Sequence, residues 1–165
     1  MNEYGSTSQS ELYDPELSTY MNILILHGPN LNMLGRREKE HYGTGDEQAL
    51  LALLHQRFPH VQFTLFQSNH EGQLVDRIHQ ATSESWHGII VNFGGLTHTS
   101  VSLRDALSLL PEKPVEVHLS NIHARESFRH TSLTAGACRG QISGFGFDGY
   151  AMAVQSFEPV HPNKT

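Results

Sequence analysis

From residue 21 onward the chain alternates between short apolar runs and stretches with apolar residues every three to four positions. Residues 22–26 (NILIL) carry apolar side chains on both faces, as a strand buried inside a sheet requires. Residues 47–58 place Leu50, Leu51, Leu53, Leu54 and Phe58 at helical spacing behind Asp46, a good N-cap. Residues 61–66 read as a second strand. Residues 71–84 read as a helix with Leu74, Val75, Ile78 and Thr82 on one face. Residues 88–91 form a third strand. The spacing over 99–110 predicts a helix that turns Val101, Leu103, Ala106, Leu107 and Leu110 inward and stops at Pro111. Residues 114–119 and 140–144 read as the fourth and fifth strands, and a closing helix begins at 148.

Strands alternating with helices over short connections predict a parallel sheet covered on both faces. With right-handed crossovers, five strands in about 145 residues fit a flavodoxin-like doubly wound sheet, a three-layer α/β/α sandwich. The expected organisation is an N-terminal extension over 1–20, an α/β domain over 21–155 and a tail over 156–165. The first 20 residues have no apolar period and read as a flexible segment.

Composition narrows the classes. The 165 residues are 38% hydrophobic and 17% charged, which excludes a disordered polyelectrolyte or a coiled coil. The net charge is −6, and the first 20 residues hold four acids and no Lys or Arg, leaving −2 for the rest. A globule so nearly neutral, with no basic stripe, does not suit nucleic acid as main partner. No apolar run approaches the roughly 20 residues of a membrane span. One cysteine, Cys138, permits no internal disulfide, and nothing resembles a signal peptide, so a cytoplasmic location is expected. Twelve histidines are scattered rather than clustered, with no HExxH motif, and no metal site is expected.

In a parallel sheet every strand ends at one edge, where ligands bind. The first strand leads into His27-Gly28-Pro29-Asn30-Leu31-Asn32, and the second into Gln67-Ser68-Asn69-His70-Glu71-Gly72. The third leads into Asn92-Phe93-Gly94-Gly95-Leu96-Thr97-His98, and the fourth into His118-Leu119-Ser120-Asn121-Ile122-His123-Ala124-Arg125. One loop of this kind is ordinary turn chemistry. Four on one edge imply a polar pocket for an oxygen-rich small molecule. Residues 34–45, charged and rich in glycine, exceed the usual strand-to-helix link of about 2–6 residues and read as a lid over that pocket.

These residues carry a family resemblance. GPNLNMLGRRE (28–38), Tyr42-Gly43, SNHEG (68–72), THTS (97–100) with LRDA (103–106), and EVHLSNIHAR (116–125) resemble the type II dehydroquinases (3-dehydroquinate dehydratases), in the family's order and spacing, from about Met21 to Val154. The family usually has Pro where this chain has Lys39, and commonly a small residue or Pro where it has Phe93. The first departure is expected to loosen the lid, and the second to put an aromatic near the pocket rim.

The resemblance implies a cofactor-independent trans-elimination of water from 3-dehydroquinate to 3-dehydroshikimate through an enolate. Tyr42 would be the base, assisted by Arg37. An ordinary phenol titrates near 10, so a phenolate at neutrality needs about 4 kcal/mol of preferential stabilisation. A guanidinium supplies part of that, whereas desolvation works against it, so a second cation is expected, with Arg129 the candidate. His118 would be the general acid, with Glu116 orienting its ring; residues two apart share one face of a strand. Asn30 would hold a water against the enolate oxygen. Asn92, His98, Leu119, Ser120 and Arg129 would bind substrate. Asp105 would reach a neighbouring subunit's site, which implies a trimer and, by the family's habit, a dodecamer of four trimers. His27, His70 and His123 read as structural or supporting residues, Arg125 as salt-bridged and Arg104 as a surface residue.

Other classes fit less well. A flavin module would want a hydroxyl-rich phosphate loop where 28–32 stand, and a response-regulator-like module an acidic pocket. A catalytically dead scaffold is disfavoured because each matched catalytic position is filled. The lysines, Lys39, Lys113 and Lys164, stand at no strand exit, which disfavours imine chemistry.

Overall fold

The computed structural model describes residues 20–35 and 46–159. In chain order the elements are β1 (Met21–His27), α1 (Glu47–Arg57), β2 (Val61–Gln67), α2 (Glu71–Ala81), β3 (Gly88–Asn92), α3 (Val101–Leu107), β4 (Val115–His118), β5 (Gly140–Ser143) and α4 (Asp148–Gln155). The sheet order is β2-β1-β3-β4-β5, with every pairing parallel, as the alternating pattern predicts. The chain reverses direction across the sheet between β1 and β3, which makes their exits the switch point where ligands bind in such sheets.

Alternation along β1 divides the core. Ile23 and Ile25 join Leu50 and Leu54 of α1 and Tyr150, Ala153 and Val154 of α4 on one face. Leu24 and Leu26 join Leu74 and Ile78 of α2 and Leu103 and Leu107 of α3 on the other. Each fully buried leucine or isoleucine contributes about 1.5–3 kcal/mol relative to exposure. These residues form helices and strands where their periods say they should, and Asp46 caps α1 by accepting from the Ala49 amide at 2.9 Å.

Two expectations are corrected. Val101 is 57% exposed, because Ser100 caps α3 and the helix starts at Val101, in a first turn that leaves this side chain in solvent. Phe93 is fully buried among Leu24, Leu26 and Leu103 rather than at a pocket rim. The backbone there is tightly placed: a Cβ on Gly28 would lie 2.4 Å from the Phe93 carbonyl oxygen, so only glycine lets β1 and β3 exit side by side.

Beyond α4, Phe157 packs against Gly88 and Glu158 pairs with His60 at 3.0 Å. No helix among the described residues is long and apolar enough to cross a membrane.

Candidate active site

At the carboxyl edge of the sheet, residues following β1, β3 and β4 enclose a cleft of about 240 Å³. From the sequence-predicted set it brings together Asn30, Asn92, His98, His118, Leu119, Ser120 and Arg129. Leu31, Met33, Leu34 and Ile122 give it apolar walls between the polar groups. Asp105 is not among the lining residues; it lies on the exposed face of α3, 3.4 Å from Arg104. Arg37, Lys39 and Tyr42 lie outside the described residues.

His118 ends β4 and is almost fully buried. Its Nε2 donates to Glu116 Oε1 at 2.8 Å, and among the described residues Nδ1 has no partner. Glu116 is entirely buried, a position a carboxylate tolerates only when its lone pairs are filled. Ser132 Oγ and Gln141 Nε2 donate to it, each at 2.7 Å, and Thr134 Oγ1 donates to its other oxygen. Burial pulls its pKa upward, but the hydrogen bonds from His118, Thr134 and Ser132, with the charge attraction of His118, outweigh that and hold the carboxyl below its ordinary value. Glu116 therefore stays ionised and pins the imidazole plane.

His98 stacks near His118, with ring centroids 6.3 Å apart and planes at 18°. Its Nδ1 donates to the Thr131 carbonyl at 2.8 Å, which makes Nε2 the acceptor in the neutral ring. Asn30 adopts a left-handed backbone (φ 71°), a conformation asparagine takes more readily than most residues, and its N–H donates to Asn69 Oδ1 at 2.9 Å. That twist turns the chain from β1 into the cleft wall.

Arg129 is paired with Glu126 at 2.9 Å and lies over the Phe128 ring, its guanidinium 5.1 Å from the centroid. Arg125, expected to be structural, also lines the cleft; it donates to Ser120 Oγ at 3.3 Å and sits 3.6 Å from Glu126. Two guanidiniums at one rim favour an anionic ligand.

Sequence reasoning read His27 as structural or supporting but missed the Tyr150 and Glu47 that it joins behind Asn92. His27, fully buried at the end of β1, bonds Glu47 Oε1 through Nδ1 at 2.7 Å and Tyr150 Oη through Nε2 at 2.8 Å. Tyr150 Oη in turn accepts from Asn92 Nδ2 at 3.0 Å. The pairing of His27 with Asn92 in the β1–β3 register was the only sequence-level hint, and it needs the sheet order to be seen.

Comparison with known proteins agrees with this geometry. Residues 21–158 match the family described as dehydroquinase class II. A 3-dehydroquinate dehydratase from an Exiguobacterium species is 50% identical over 137 residues, covering 82% of this chain and 93% of that one. The 3-dehydroquinate dehydratase of Roseiflexus castenholzii is 51% identical over 137 residues, covering 82% and 87%. Among solved structures, the type II dehydroquinase of Butyrivibrio crossotus superposes with a TM-score of 0.77 at 41% identity, covering 84% of this chain and 97% of that one. The chain belongs to the class II dehydroquinase family.

Proposed function

We propose that the chain is a hydro-lyase that dehydrates 3-dehydroquinate to 3-dehydroshikimate, serving aromatic biosynthesis or quinate breakdown. The observation that carries this reading is His118, held by the buried Glu116 carboxylate with Nδ1 left for a ligand, in a cleft that also presents Asn30, Asn92, His98 and Arg129.

Eliminating a β-hydroxyl from a ketone requires removal of a carbon-bound proton, stabilisation of the enolate and protonation of the departing hydroxyl. His118 suits the last step, since histidine titrates near neutrality and a fixed ring delivers its proton along one line. Glu116 stabilises the imidazolium before transfer and keeps the ring oriented after it. Asn30, in the cleft wall, holds a water toward the enolate oxygen in this reading. Arg129 and Arg125 carry the charge that a substrate carboxylate needs, and Asn92, His98, Leu119 and Ser120 bind its remaining oxygens. The chemistry is redox-neutral, so no cofactor enters its balance.

Tyr42 as base and Arg37 as its cationic partner rest on the sequence motif. Asp105, on an exposed helix face, is proposed to complete a neighbouring subunit's site within a dodecamer of four trimers, and the location is proposed to be cytoplasmic. Ultraviolet absorbance of the conjugated product tests the reading. Wild type supplied with 3-dehydroquinate turns over, and Tyr42→Phe loses nearly all activity. Retained activity in the variant rejects the base; a wild type without turnover rejects the substrate.

A further inference from the structure

The hydrogen bonds behind Asn92 run in one direction, set by groups that have no choice of role. The Gly94 backbone N–H can only donate, so the Asn92 atom 3.2 Å from it is Oδ1. Nδ2 therefore faces Tyr150 Oη at 3.0 Å, and an amide nitrogen donates. Tyr150 is fully buried on α4, and burial keeps its phenol protonated, well above the ordinary range, against the smaller opposing effect of the Asn92 bond. Its single hydrogen is left for His27 Nε2, 2.8 Å away. A neutral His27 accepting at Nε2 carries its proton on Nδ1, which donates to Glu47 Oε1 at 2.7 Å. Asn92, Tyr150 and His27 are each at least 97% buried, and the series ends on a carboxylate that is 23% exposed.

We infer that Tyr150, His27 and Glu47 are positioning residues that lock the Asn92 amide, so that the cleft is offered one N–H and one carbonyl lone pair in a fixed arrangement. That pair fits a substrate hydroxyl that donates and accepts at once. The reversed amide would set its NH2 against the Gly94 N–H and force His27 Nε2 to donate, which the Glu47 carboxylate on the far nitrogen opposes. Bonds donated in series toward an anion strengthen one another, so the arrangement holds more firmly than its separate members would. The inference rests on the proposed contact between Asn92 and substrate.

Steady-state kinetics with 3-dehydroquinate, alongside thermal midpoints, test it. Asn92→Ala is expected to raise KM by tenfold or more, roughly the worth of a lost polar contact. Tyr150→Phe is expected to raise KM about five- to tenfold while kcat stays within about threefold. Glu47→Ala acts in the same direction by about threefold, and Glu47→Gln returns KM to within about twofold of wild type, because an amide oxygen still accepts from Nδ1. Tyr150→Phe placed on Asn92→Ala adds less than about twofold. Lowered thermal midpoints with KM unchanged in Tyr150→Phe and Glu47→Ala overturn the inference and leave these residues merely structural. An unchanged KM in Asn92→Ala rejects the Asn92 contact and the inference with it, and a wild type without turnover rejects the proposed reaction itself. Should Tyr150→Phe fail to fold, the Glu47→Ala and Glu47→Gln pair, at the accessible end of the series, decides by the same readout.

Discussion

Two histidines, each bonded to a carboxylate, stand at the carboxyl edge of one sheet, and the sheet separates them. His27 follows Ile23 and Ile25 onto the face covered by α1 and α4; His118 follows Glu116 onto the opposite face, where Val91 is the register neighbour of Glu116. Their carboxylate bonds are nearly the same length, 2.7 Å to Glu47 and 2.8 Å to Glu116. What differs is the second ring nitrogen. His27 spends it on Tyr150, inside the core, whereas His118 leaves it without a partner among the described residues, at the cleft. A histidine–carboxylate pair is therefore no signature of catalysis by itself; the occupant of the other nitrogen separates a fixed scaffold from the histidine proposed as proton donor.

The comparison breaks most sharply in turnover. His118→Asn is expected to lower kcat by about 10²–10⁴-fold, the usual contribution of a positioned acid. His27→Asn is expected to lower kcat less than about tenfold, its cost falling on substrate binding and on the thermal midpoint. Equal losses of kcat in the two variants would erase the distinction drawn from the ring nitrogens.

The carboxylates differ too. Among the described residues, partly exposed Glu47 meets one donor, whereas fully buried Glu116 meets four: His118, Ser132, Thr134 and Gln141. Glu116→Gln turns an N–H toward those donors and is expected to cost about 3 kcal/mol at pH 7, read from urea midpoints. The pH dependence follows from the lowered carboxyl. A group held below its unfolded value stabilises fully above about pH 4.3 and loses that contribution as pH falls through its folded value. The stability gap between wild type and Glu116→Gln should narrow on acidification from pH 5 downward, since the amide has no proton to gain. A gap that widens there gives the wrong sign for the Glu116 network.

Much of this edge was legible before the fold because a parallel sheet collects every strand exit in one place. Asn30, Asn92, His98 and His118 each end or follow a strand that apolar runs announce, and Glu116 is two residues from His118 on the same face. What escaped depended on contacts between distant segments. Thr134 and Gln141 reach Glu116 from 18 and 25 residues away, and Tyr150 meets His27 across 123. No period in the sequence encodes such pairings; they follow from strand order and from how α4 lies on the sheet. Val101 shows the converse limit, an apolar residue in phase with a helical face that the first turn of α3 leaves in solvent.

The smallest expected effect probes how dry the Glu116 side of the sheet is. Cys138 donates to the Thr134 carbonyl at 3.4 Å, and its thiol is pushed up to about 12, first by burial and then by the nearby Glu116 charge. A thiol with that value is about 10⁻⁴ ionised at pH 8, and the thiolate is the species that alkylates. Iodoacetamide labelling of the native protein at pH 8 is therefore expected to run at least about 100-fold slower than labelling in urea. In Glu116→Gln the native rate should rise only slightly, because removing the charge lifts the lesser of the two causes and leaves the burial. Native labelling as fast as in urea would mean that water reaches this side of the sheet, and the four donors around Glu116 could then no longer be what keeps it ionised.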